Sequence, residues 1–497
     1  MSDAEQFPRN PSTPVALAEI CALLGVPAQP GVVTGVTLAS GAAQPGDLYA
    51  ALPGARTHGA HHAGEAIARG ATAVLTDAAG ARVLGTTRVP VVVCPDPRGR
   101  LGEVSALVFG YPARRLQTFG ITGTNGKTTI SYMLSSALRA LGVPTGMIGT
   151  TGTYIGQRRL PTARTTPEAP DLQALMALMV ESGTRALAME VSSHALVLGR
   201  VDGLRFDLAA FTNLSADHLD FHETMTDYFA AKADLFTAAR CRQAVINVDD
   251  DWGRRLASST QVPCVTYGLS PSADWTVREI AAGAAGSTFV ARHGSLSLPV
   301  RVRAPGHFNV ANALAALVML VRAGHEPGAA AEALDAFHGV PGRMEVVPGG
   351  DITVIVDYAH TPDAVQRALL AVTPLTQGRI WCVIGCGGDR DAVKRPVMGR
   401  IAAELADHVV VTDDNPRSED PAAIRAAVLD GARVVAGASV QEVADREQAI
   451  RAAVSAAGAG DTVMILGKGH ETGQEIAGVI HPFDDRQVAR AALGGEA

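Results

Sequence analysis

The sequence predicts an α/β protein of three domains, each built on a mainly parallel sheet with helices packed against it. Three observations support this fold class. The chain has 497 residues, enough for about three domains at the usual size of roughly 150 residues each. Apolar strands alternate with helical segments along most of the chain, which is the pattern of βαβ units. Several predicted strands end in polar or glycine-rich loops, where open parallel sheets bind their ligands.

Two short breaks divide the chain. Gly110-Tyr-Pro112 interrupts one run of strands and helices, and His338-Gly-Val-Pro-Gly342 interrupts the next. Glycine and proline end regular elements because of their special backbone geometry. We therefore predict domains over residues 1–110, 111–338 and 339–497.

The strands expected in these domains are short and apolar. In the first domain they are Val32–Leu38, Asp47–Leu52, Ala71–Thr76 and Val89–Val93, with a helix over His61–Ala68. In the second they are Ala186–Val191, Leu208–Thr212 and Ala244–Asn247, followed by alternating short strands within Trp275–Pro305. In the third they are Thr353–Asp357, Ile380–Gly385, Val409–Thr412 and Thr462–Leu466.

Composition indicates a globular enzyme and argues against several classes of partner. Hydrophobic residues make up 47% of the chain and charged residues 18%, which is typical of soluble proteins with large cores. The net charge of −7 and the pI near 6.1 argue against nucleic acid or an anionic membrane as the main partner. The apolar helical segment Val310–Val321 is too short to span a bilayer, and residues 1–8 lack the features of a signal peptide. The six scattered cysteines fit reduced, mostly buried thiols in a cytoplasmic protein.

A glycine-rich segment, Thr118–Thr129, predicts a nucleoside triphosphate site. Apolar residues lead into glycines and then into Gly-Lys-Thr at the start of a helical pattern. Backbone N–H groups and the helix N-terminus would hold the phosphates, Lys127 would reach the β- and γ-phosphates, and Thr128 would bind Mg²⁺. The strict pattern requires glycine at 121, where this chain has Ile121. An ordinary strand-to-helix turn is the alternative.

Polar residues after the next strands are further candidates. Glu190 ends a predicted strand of the same sheet, where a carboxylate is well placed to hold Mg²⁺, although a solvated loop acid is the alternative. His218 and His222 have the i, i+4 spacing of a zinc pair, but no third strong ligand is evident. Thr165 and Thr166 form a hydroxyl-rich loop before a helix. By itself, Lys232 has the pattern of a helix lysine that extends to solvent.

Residues near the second boundary could contact a nucleotide. Asn309 and Asn312 lie on one face of a helix start and could read an adenine edge, although helix capping is the simpler interpretation. Arg343, next to the boundary, could reach a γ-phosphate when domains close. Asp357 and His360, at a strand end, could contact ribose and phosphates.

Five motifs, taken in order, resemble those of the Mur ligases, and the resemblance covers nearly the whole chain. They are Gly-Thr-Asn-Gly-Lys-Thr (123–128), Glu-Val-Ser-Ser-His-Ala-Leu (190–196), Thr-Asn-Leu-Ser-Ala-Asp-His-Leu-Asp (212–220), Asp-Tyr-Ala-His-Thr-Pro (357–362) and Gly-Lys-Gly-His-Glu (467–471). The chain is most similar to the branch that adds diaminopimelate to UDP-N-acetylmuramoyl-L-alanyl-D-glutamate. This resemblance implies ATP-driven amide synthesis through an acyl phosphate, in cytoplasmic peptidoglycan precursor synthesis. It also implies a P-loop ATPase domain between an α/β UDP-binding domain and a Rossmann-like domain. Separately, we expect a monomer with no nucleic acid partner and no membrane insertion.

The resemblance implies roles for individual residues. Mg²⁺ would be held by Thr128, Glu190, His218 and a carbamylated Lys232, and the catalytic set would be Lys127, Lys232, His218 and Arg343. ATP would contact Gly123, Thr124, Asn125, Gly126, Lys127, Thr128, Thr129, Asn309, Asn312, Asp357 and His360. The UDP-linked substrate would contact Ser40, Thr165, Thr166, Ser192 and Arg200.

A loop in the third domain, Asp414-Asn-Pro-Arg417, resembles the family signature for diaminopimelate rather than lysine. Arg417 offers a planar fork for the distal carboxylate that lysine lacks, and Asp414 and Asn415 could hydrogen-bond the distal ammonium. Gly467 and Glu471 would line the same site, and Arg390 would hold a carboxylate of the amino acid. A polar turn before a helix is the alternative.

The chain departs from the family near the expected uridine site. Where relatives have Asp-Ser-Arg, it has Ala39-Ser-Gly41, and His58 stands where Asp is commoner. This departure affects the expected detail of uridine diphosphate binding and is the reason to consider an inactive binding scaffold. Three other functions also stay open: ligation of lysine or ornithine, a folylpolyglutamate-type ligase, and a nucleotide-switch or motor ATPase. Dependence on a uridine nucleotide would distinguish a Mur-type ligase from a folylpolyglutamate-type ligase. ATP hydrolysis without an amino acid would indicate a nucleotide switch or motor.

Overall fold

The computed structural model describes residues 9–10, 12–54, 57–162, 164–219, 221–283 and 286–494. It has a parallel sheet in the first domain and a mainly parallel sheet in each of the others, so the predicted three-domain α/β fold is confirmed. The prediction about a signal peptide concerns residues 1–8 and lies outside the described residues.

The first domain has a small parallel sheet. Its elements are β1 (Val15–Ala16), α1 (Leu17–Leu24), β2 (Val32–Val33), β3 (Gly35–Thr37), β4 (Asp47–Ala51), α2 (Ala63–Ala68), β5 (Ala73–Thr76), α3 (Ala78–Leu84), β6 (Val91–Val93) and α4 (Pro97–Val108). The sheet has the order β3-β4-β5-β6, and β1 pairs antiparallel with β2. The single strand predicted over Val32–Leu38 is therefore wrong. β2 pairs with β1 and β3 pairs with β4, so two short strands with Thr34 between them replace the single strand.

The central sheet carries the phosphate loop. Its strands and helices are β7 (Gln117–Thr122), α5 (Lys127–Ala140), β8 (Thr145–Gly149), β9 (Gly152–Ile155), β10 (Arg158–Leu160), α6 (Ala169–Glu181), β11 (Ala186–Glu190), α7 (Ser193–Val197), β12 (Phe206–Phe211), α8 (Met225–Ala233), β13 (Cys241–Asn247), α9 (Asp251–Ser259) and β14 (Cys264–Tyr267). The order is β10-β9-β8-β11-β7-β12-β13-β14, antiparallel only where β9 pairs with β8 and β10.

A separate antiparallel sheet follows the central one. It consists of β15 (Thr276–Gly283), β16 (Gly286–His293) and β17 (Leu296–Val302), which confirms the alternating strands predicted within Trp275–Pro305. Two helices come next, α10 (His307–Arg322) and α11 (Pro327–Ala333).

Apolar side chains cover both faces of the central sheet. Ala210 of β12 belongs to the cluster that contains Leu134 and Leu317. Its neighbour Ala209 belongs to the cluster that contains Met176 and Phe236. Successive residues of a strand face opposite sides, so the sheet lies between two layers of helices. This packing leaves the carboxyl ends of its strands as the place where polar loops collect.

The third domain repeats this layered arrangement. Its elements are β18 (Glu345–Val347), β19 (Thr353–Asp357), α12 (Pro362–Val372), β20 (Ile380–Ile384), α13 (Lys394–Leu405), β21 (His408–Val411), α14 (Pro421–Arg433), β22 (Ser439–Glu442), α15 (Arg446–Ala456), β23 (Thr462–Leu466), β24 (Gly473–Ile476), β25 (Val479–Pro482) and α16 (Asp485–Ala492). The sheet has the order β18-β19-β23-β20-β21-β22, with β18 antiparallel to β19. The strands β24 and β25 form a separate hairpin.

The predicted boundaries at residues 110 and 338 stay predictions. Helix α4 ends at Val108 and β7 begins at Gln117, while α11 ends at Ala333 and β18 begins at Glu345. All six cysteines are free thiols, and five of them are buried. Among the described residues, no helix combines the length and the apolar character needed to cross a bilayer.

Candidate active site

A cavity of about 1270 Å³ lies where the carboxyl ends of strands from the central and third-domain sheets meet. Loops after β7, β11 and β12 contribute to its wall from one side, and loops after β19, β20, β21 and β23 from the other. The predicted residues for ATP, metal and diaminopimelate all line it except Gly123, and those for the UDP-linked substrate all line it except Ser40. The fold thus brings together motifs that lie up to 347 residues apart, from Thr124 to Glu471.

The glycine-rich segment forms a tight loop between β7 and α5. Gly123 and Gly126 have φ values of 143° and 90°, which favour glycine. A Cβ atom on Gly126 would lie 2.5 Å from Asn312 Oδ1, so the loop and α10 meet here without room for a side chain. Ile121, which departs from the strict motif, is a fully buried residue of β7. The residue that departs from the motif therefore packs in the core of the sheet, and it lies outside the loop itself.

Lys127 lies over this loop. Its Nζ donates hydrogen bonds to the carbonyls of Gly123 and Thr124 at 2.9 and 2.8 Å. Burial lowers the Lys127 pKa, and the nearby Arg343 guanidinium lowers it further, although Glu190 and Asp217 oppose both effects. A cation held in this way at the N-terminus of helix α5 is suited to bind phosphate.

Glu190 ends β11 beside the start of α5. The Thr128 hydroxyl donates to Glu190 Oε2 at 3.0 Å, and Thr150 donates from its backbone to Oε1 and from its hydroxyl to Oε2. Glu190 is 1% exposed, so the alternative of a solvated loop acid is wrong. Oxygen ligands of this kind are those that Mg²⁺ prefers.

Lys232 is buried rather than extended to solvent. It is 1% exposed, its Nζ donates to the Gly123 carbonyl at 2.8 Å, and it lies 4.5 Å from the centre of the Tyr228 ring. The interpretation as an ordinary surface lysine is therefore wrong. Burial, with the Lys127 charge adding to it, holds the Lys232 pKa well below its usual range. The side chain is thus prepared to exist as a neutral amine.

His218 lies near the same cluster with a left-handed backbone, φ 54°. Its Nε2 is 3.4 Å from Asp217 Oδ2, but burial outweighs this carboxylate and lowers the His218 pKa to about 4. A neutral imidazole can act as a metal ligand.

His222 Nε2 lies 2.9 Å from the Ser193 hydroxyl. Within the described part of the chain, no group of three or more His, Cys, Asp and Glu side chains has the arrangement of a metal site.

The predicted adenine and hinge residues are partly engaged in the fold. Asn309 Nδ2 donates to the Pro305 carbonyl at 2.7 Å, and Asn312 Nδ2 donates to Asn309 Oδ1 at 3.1 Å. Asp357 accepts from the backbone N–H groups of Met344 and Ala359. Its carboxylate therefore shapes the turn that follows Arg343 as well as lining the cavity.

Arg343 and His360 both contact Tyr358. The Arg343 guanidinium lies 4.2 Å from the centre of the Tyr358 ring, where the aromatic face attracts the cation. His360 Nδ1 is 2.9 Å from the Tyr358 carbonyl, and burial lowers the His360 pKa. These contacts hold two predicted nucleotide residues at the junction of the two sheets.

The loop predicted for the UDP-linked substrate is tied to Glu190. The Thr166 hydroxyl donates to the Glu190 carbonyl at 2.9 Å, and the Ser192 N–H donates to that hydroxyl. Arg200 Nη1 donates to the Thr166 carbonyl at 3.4 Å. Ser40 lies apart in the first domain, where its hydroxyl donates to Glu65 Oε2 at 2.6 Å.

The loop predicted for diaminopimelate is held by a buried lysine. Lys468 is 0% exposed, and its Nζ donates to Asn415 Oδ1 at 2.9 Å and to Glu471 Oε2 at 3.0 Å. Asn415 Nδ2 also donates to Glu471 Oε2 at 2.8 Å. Arg390 lines the cavity nearby, and its Nη1 donates to the Asp389 carbonyl at 3.1 Å. The cavity wall here thus includes two carboxylates, one amide and two guanidinium groups, those of Asp414, Glu471, Asn415, Arg390 and Arg417. Such a mixture of charges suits a zwitterion.

Sequence reasoning missed several residues that connect these loops. Asn213 Oδ1 accepts from the Asn125 N–H at 3.0 Å. Asp363 of α12 accepts from Asn125 Nδ2 at 2.8 Å and from the Ser215 hydroxyl at 3.1 Å. Asn213 lies inside the motif at residues 212–220, so a local signal for it was present. Asp363 contacts a loop 238 residues away, and no local pattern indicates such a pair.

The lysines of the chain are concentrated at this site. The sequence has four, Lys127, Lys232, Lys394 and Lys468. The first three line the cavity, and Lys468 donates hydrogen bonds to two lining residues, Asn415 and Glu471. The other cationic side chains are arginines and histidines.

Comparison with known proteins agrees with this geometry. Three family profiles match the chain in order: Mur ligase family, catalytic domain, at residues 32–108; Mur ligase middle domain, at 121–320; and Mur ligase, glutamate ligase domain, at 342–469. A UDP-N-acetylmuramoyl-L-alanyl-D-glutamate--2,6-diaminopimelate ligase from Streptomyces coelicolor is 53% identical over 487 residues, covering 96% of each chain.

Solved structures give the same result. The structure of a UDP-N-acetylmuramoyl-L-alanyl-D-glutamate--2,6-diaminopimelate ligase matches with a TM-score of 0.69 and 35% identity, covering 97% of this chain and 99% of that one. A folylpolyglutamate synthase from Mycobacterium tuberculosis matches with a TM-score of 0.62 over 79% of this chain and 94% of that one, but at 17% identity it shares the fold alone. The resemblance seen in the motifs is confirmed, and the chain belongs to the Mur ligase family of ATP-dependent ligases.

Proposed function

We propose that this protein joins 2,6-diaminopimelate to UDP-N-acetylmuramoyl-L-alanyl-D-glutamate with the hydrolysis of ATP, in peptidoglycan precursor synthesis. The observation that carries the proposal is one cavity whose wall includes both Lys127 of the phosphate loop and Arg417 of the third-domain loop. A nucleotide switch or motor has no need for the second loop. Relatives named as UDP-N-acetylmuramoyl-L-alanyl-D-glutamate--2,6-diaminopimelate ligases support the choice of substrates.

The first chemical obstacle is repulsion between two anions, the substrate carboxylate and the ATP γ-phosphate. Arg343 lies close enough to Lys127 for its charge to lower the Lys127 pKa. Both cations can therefore neutralise the same group. Positioned cations stabilise the charge that develops during phosphoryl transfer. The carboxylate oxygen then bonds to the γ-phosphorus, ADP leaves, and an acyl phosphate forms.

In the second step the neutral amine of diaminopimelate attacks the acyl phosphate and expels phosphate. Arg417 and Arg390 would hold carboxylates of this amino acid, and Asp414, Asn415 and Glu471 would hold its distal ammonium. The wall formed by both sheets would exclude water, which otherwise hydrolyses the acyl phosphate.

The donor set fits Mg²⁺, since Thr128 and Glu190 already present oxygens 3.0 Å apart. Residues that would hold the ion are Thr128, Glu190, His218 and Lys232, the last as a carbamate. When bound, Mg²⁺ supplies positive charge that offsets the phosphates. A neutral Lys232 amine would add to CO₂ with loss of one proton and give a carbamate anion, whose oxygens are ligands of the kind that hard metals prefer. We expect a carbamate signal in ¹³C NMR after incubation with ¹³C-bicarbonate, and its loss in Lys232→Ala.

The proposal is tested by ADP release with UDP-N-acetylmuramoyl-L-alanyl-D-glutamate and a panel of amino acids. We expect a kcat/KM for diaminopimelate about 10²-fold or more above those for lysine and ornithine, because a site built for a second polar group discriminates strongly against analogues that lack it. Comparison of the meso and LL isomers identifies the natural substrate. Better turnover of lysine or ornithine would contradict the proposal. We further propose that the enzyme works as a cytoplasmic monomer, which sedimentation of the purified protein tests for oligomeric state.

A further inference from the structure

Arg417 has an unusual backbone for a large residue. Its φ is 53°, in the left-handed region that side chains other than glycine rarely adopt. Such a conformation persists only where surrounding contacts impose it, and it is common at ligand sites. The contacts that impose it here come from the hairpin β24–β25.

The hairpin pairs with Arg417 through the backbone. The Arg417 N–H donates to the Glu475 carbonyl at 3.0 Å, and the Ala477 N–H donates to the Arg417 carbonyl at 2.7 Å. These bonds form a parallel bridge between Arg417 and Ile476. The backbone on both sides of the strained residue is thus fixed by one short segment of the hairpin.

The same segment contacts the side chains of the loop. Glu475 Oε2 lies 3.3 Å from Arg417 Nε, and the Glu475 N–H donates to Asn415 Oδ1 at 3.0 Å. On the other side of the guanidinium, Arg417 Nη1 donates to the Gly388 carbonyl at 2.6 Å. Two of the three guanidinium nitrogens are thereby engaged, and the group still lines the cavity. Gln474 Nε2 donates to the Asp414 carbonyl at 2.7 Å.

Glu475 is poorly placed for a purely structural role. Its side chain is 39% exposed, and every residue of the neighbouring strand β25 is exposed. The hairpin therefore covers little apolar core, and its polar contacts are concentrated on the Asp414–Arg417 loop.

We propose that Glu475 is a positioning residue for amino-acid specificity, which orients the Arg417 guanidinium toward the distal carboxylate of the substrate. This inference rests on the proposed function. Without Glu475, the guanidinium must lose rotational freedom when the amino acid binds, and that loss weakens binding. With Glu475, the fork is held in place before the substrate arrives.

The test compares Glu475→Ala and Glu475→Gln with a control, Glu447→Ala, which removes an exposed glutamate paired with Arg451 on α15. We expect Glu475→Ala to raise the KM for diaminopimelate about three- to tenfold, as for one side chain that must be ordered on binding. The KM values for ATP and the UDP-linked substrate should stay unchanged. Glu475→Gln, which keeps an acceptor for Nε, should recover part of the loss, and the control should match the wild type.

A double-mutant cycle separates action through Arg417 from a general effect. In an Arg417→Ala background, Glu475→Ala should cause no further rise in the KM for diaminopimelate. An additional rise equal to that of the single variant would overturn the inference, as would an equal rise in all three KM values.

The outcomes also separate this inference from the proposed function. If the wild-type enzyme prefers lysine, both the proposed function and the role of Glu475 are wrong. A wild-type enzyme that prefers diaminopimelate, combined with an unchanged KM in Glu475→Ala, removes the inference alone.

Discussion

Thr128 and Glu190 join the first turn of α5 to the end of β11, because the threonine hydroxyl donates to the glutamate carboxylate at 3.0 Å. Thr150 adds two more hydrogen bonds to the same carboxylate. The carboxylate is therefore fixed from two sides of the phosphate loop before any ligand binds, and a fixed oxygen set is what an ion with strict geometry requires.

Replacement of Glu190 by Gln should lower kcat about 10²-fold or more, since it removes an ionised ligand next to the transferred phosphate. The Mg²⁺ concentration for half-maximal activity should rise as well. ADP release measured across a Mg²⁺ series, after EDTA treatment, checks both. The exposed Glu332→Gln serves as the control, and an unchanged Mg²⁺ dependence in Glu190→Gln would remove Glu190 from the metal site.

Lys127→Ala should abolish measurable turnover, a loss of about 10³-fold or more, because the cation acts on charge that develops in the transition state. Its hydrogen bonds to Gly123 and Thr124 are local, so the fold should persist. Single-turnover assays and circular dichroism check the two expectations. Arg451→Ala, which removes an exposed helix cation, should behave like the wild type. Full activity in Lys127→Ala would exclude the phosphate loop from the mechanism.

Asp485→Ala should destabilise the third domain strongly. Arg446 and Asp485 form an ion pair with both side chains 0% exposed, and Arg446 Nη2 also donates to the Leu466 carbonyl at 2.9 Å. Removing one partner leaves a buried charge, at a cost of about 3–5 kcal/mol. Urea unfolding followed by circular dichroism measures this loss. The double variant Arg446→Met, Asp485→Leu should lose less stability than Asp485→Ala; an equal or larger loss would show that the uncompensated charge is not the cause.

Stability should fall as the pH drops from about 6.5 to about 4 partly because of His470. Burial, aided by the charge of Arg343, lowers the His470 pKa to about 4 in the folded state, whereas the unfolded residue titrates near 6.5. In this interval the unfolded chain binds more protons, so acidification favours unfolding. The stability linked to this residue is complete above pH 6.5. Urea midpoints at pH 5 and pH 7 should differ less in His470→Gln than in the wild type, and an identical difference would contradict this account.

The sequence predicted those parts of the site that lie within single motifs. The loop with Lys127 and the strand end with Glu190 could be recognised because glycine spacing and an acid after a strand are local signals. The fold class followed from alternating strands and helices in the same way. The split at Thr34 could not be foreseen, because β2 and β3 pair with different strands, β1 and β4, and local residue preference does not indicate a change of partner.

Contacts between distant segments account for most of what was missed. Asp363 meets Asn125 across 238 residues, and Glu475 meets Arg417 across the loop after β23. The burial of Lys232 was also invisible in the sequence, since a helix lysine has the same pattern whether its helix faces solvent or the phosphate loop. Each of these depends on how sheets pack, which local patterns do not encode.

The distribution of lysines has a practical consequence for chemical labelling. The lysine amines of this sequence are those of Lys127, Lys232, Lys394 and Lys468, and all four lie in or next to one cavity. Burial lowers the pKa of Lys127, so its uncharged, nucleophilic amine forms at a lower pH than that of an exposed lysine, whereas a carbamylated Lys232 is closed to such reagents. An amine-directed covalent probe small enough to enter would therefore act as an active-site titrant, and mass spectrometry of the modified peptides would report nucleotide occupancy directly.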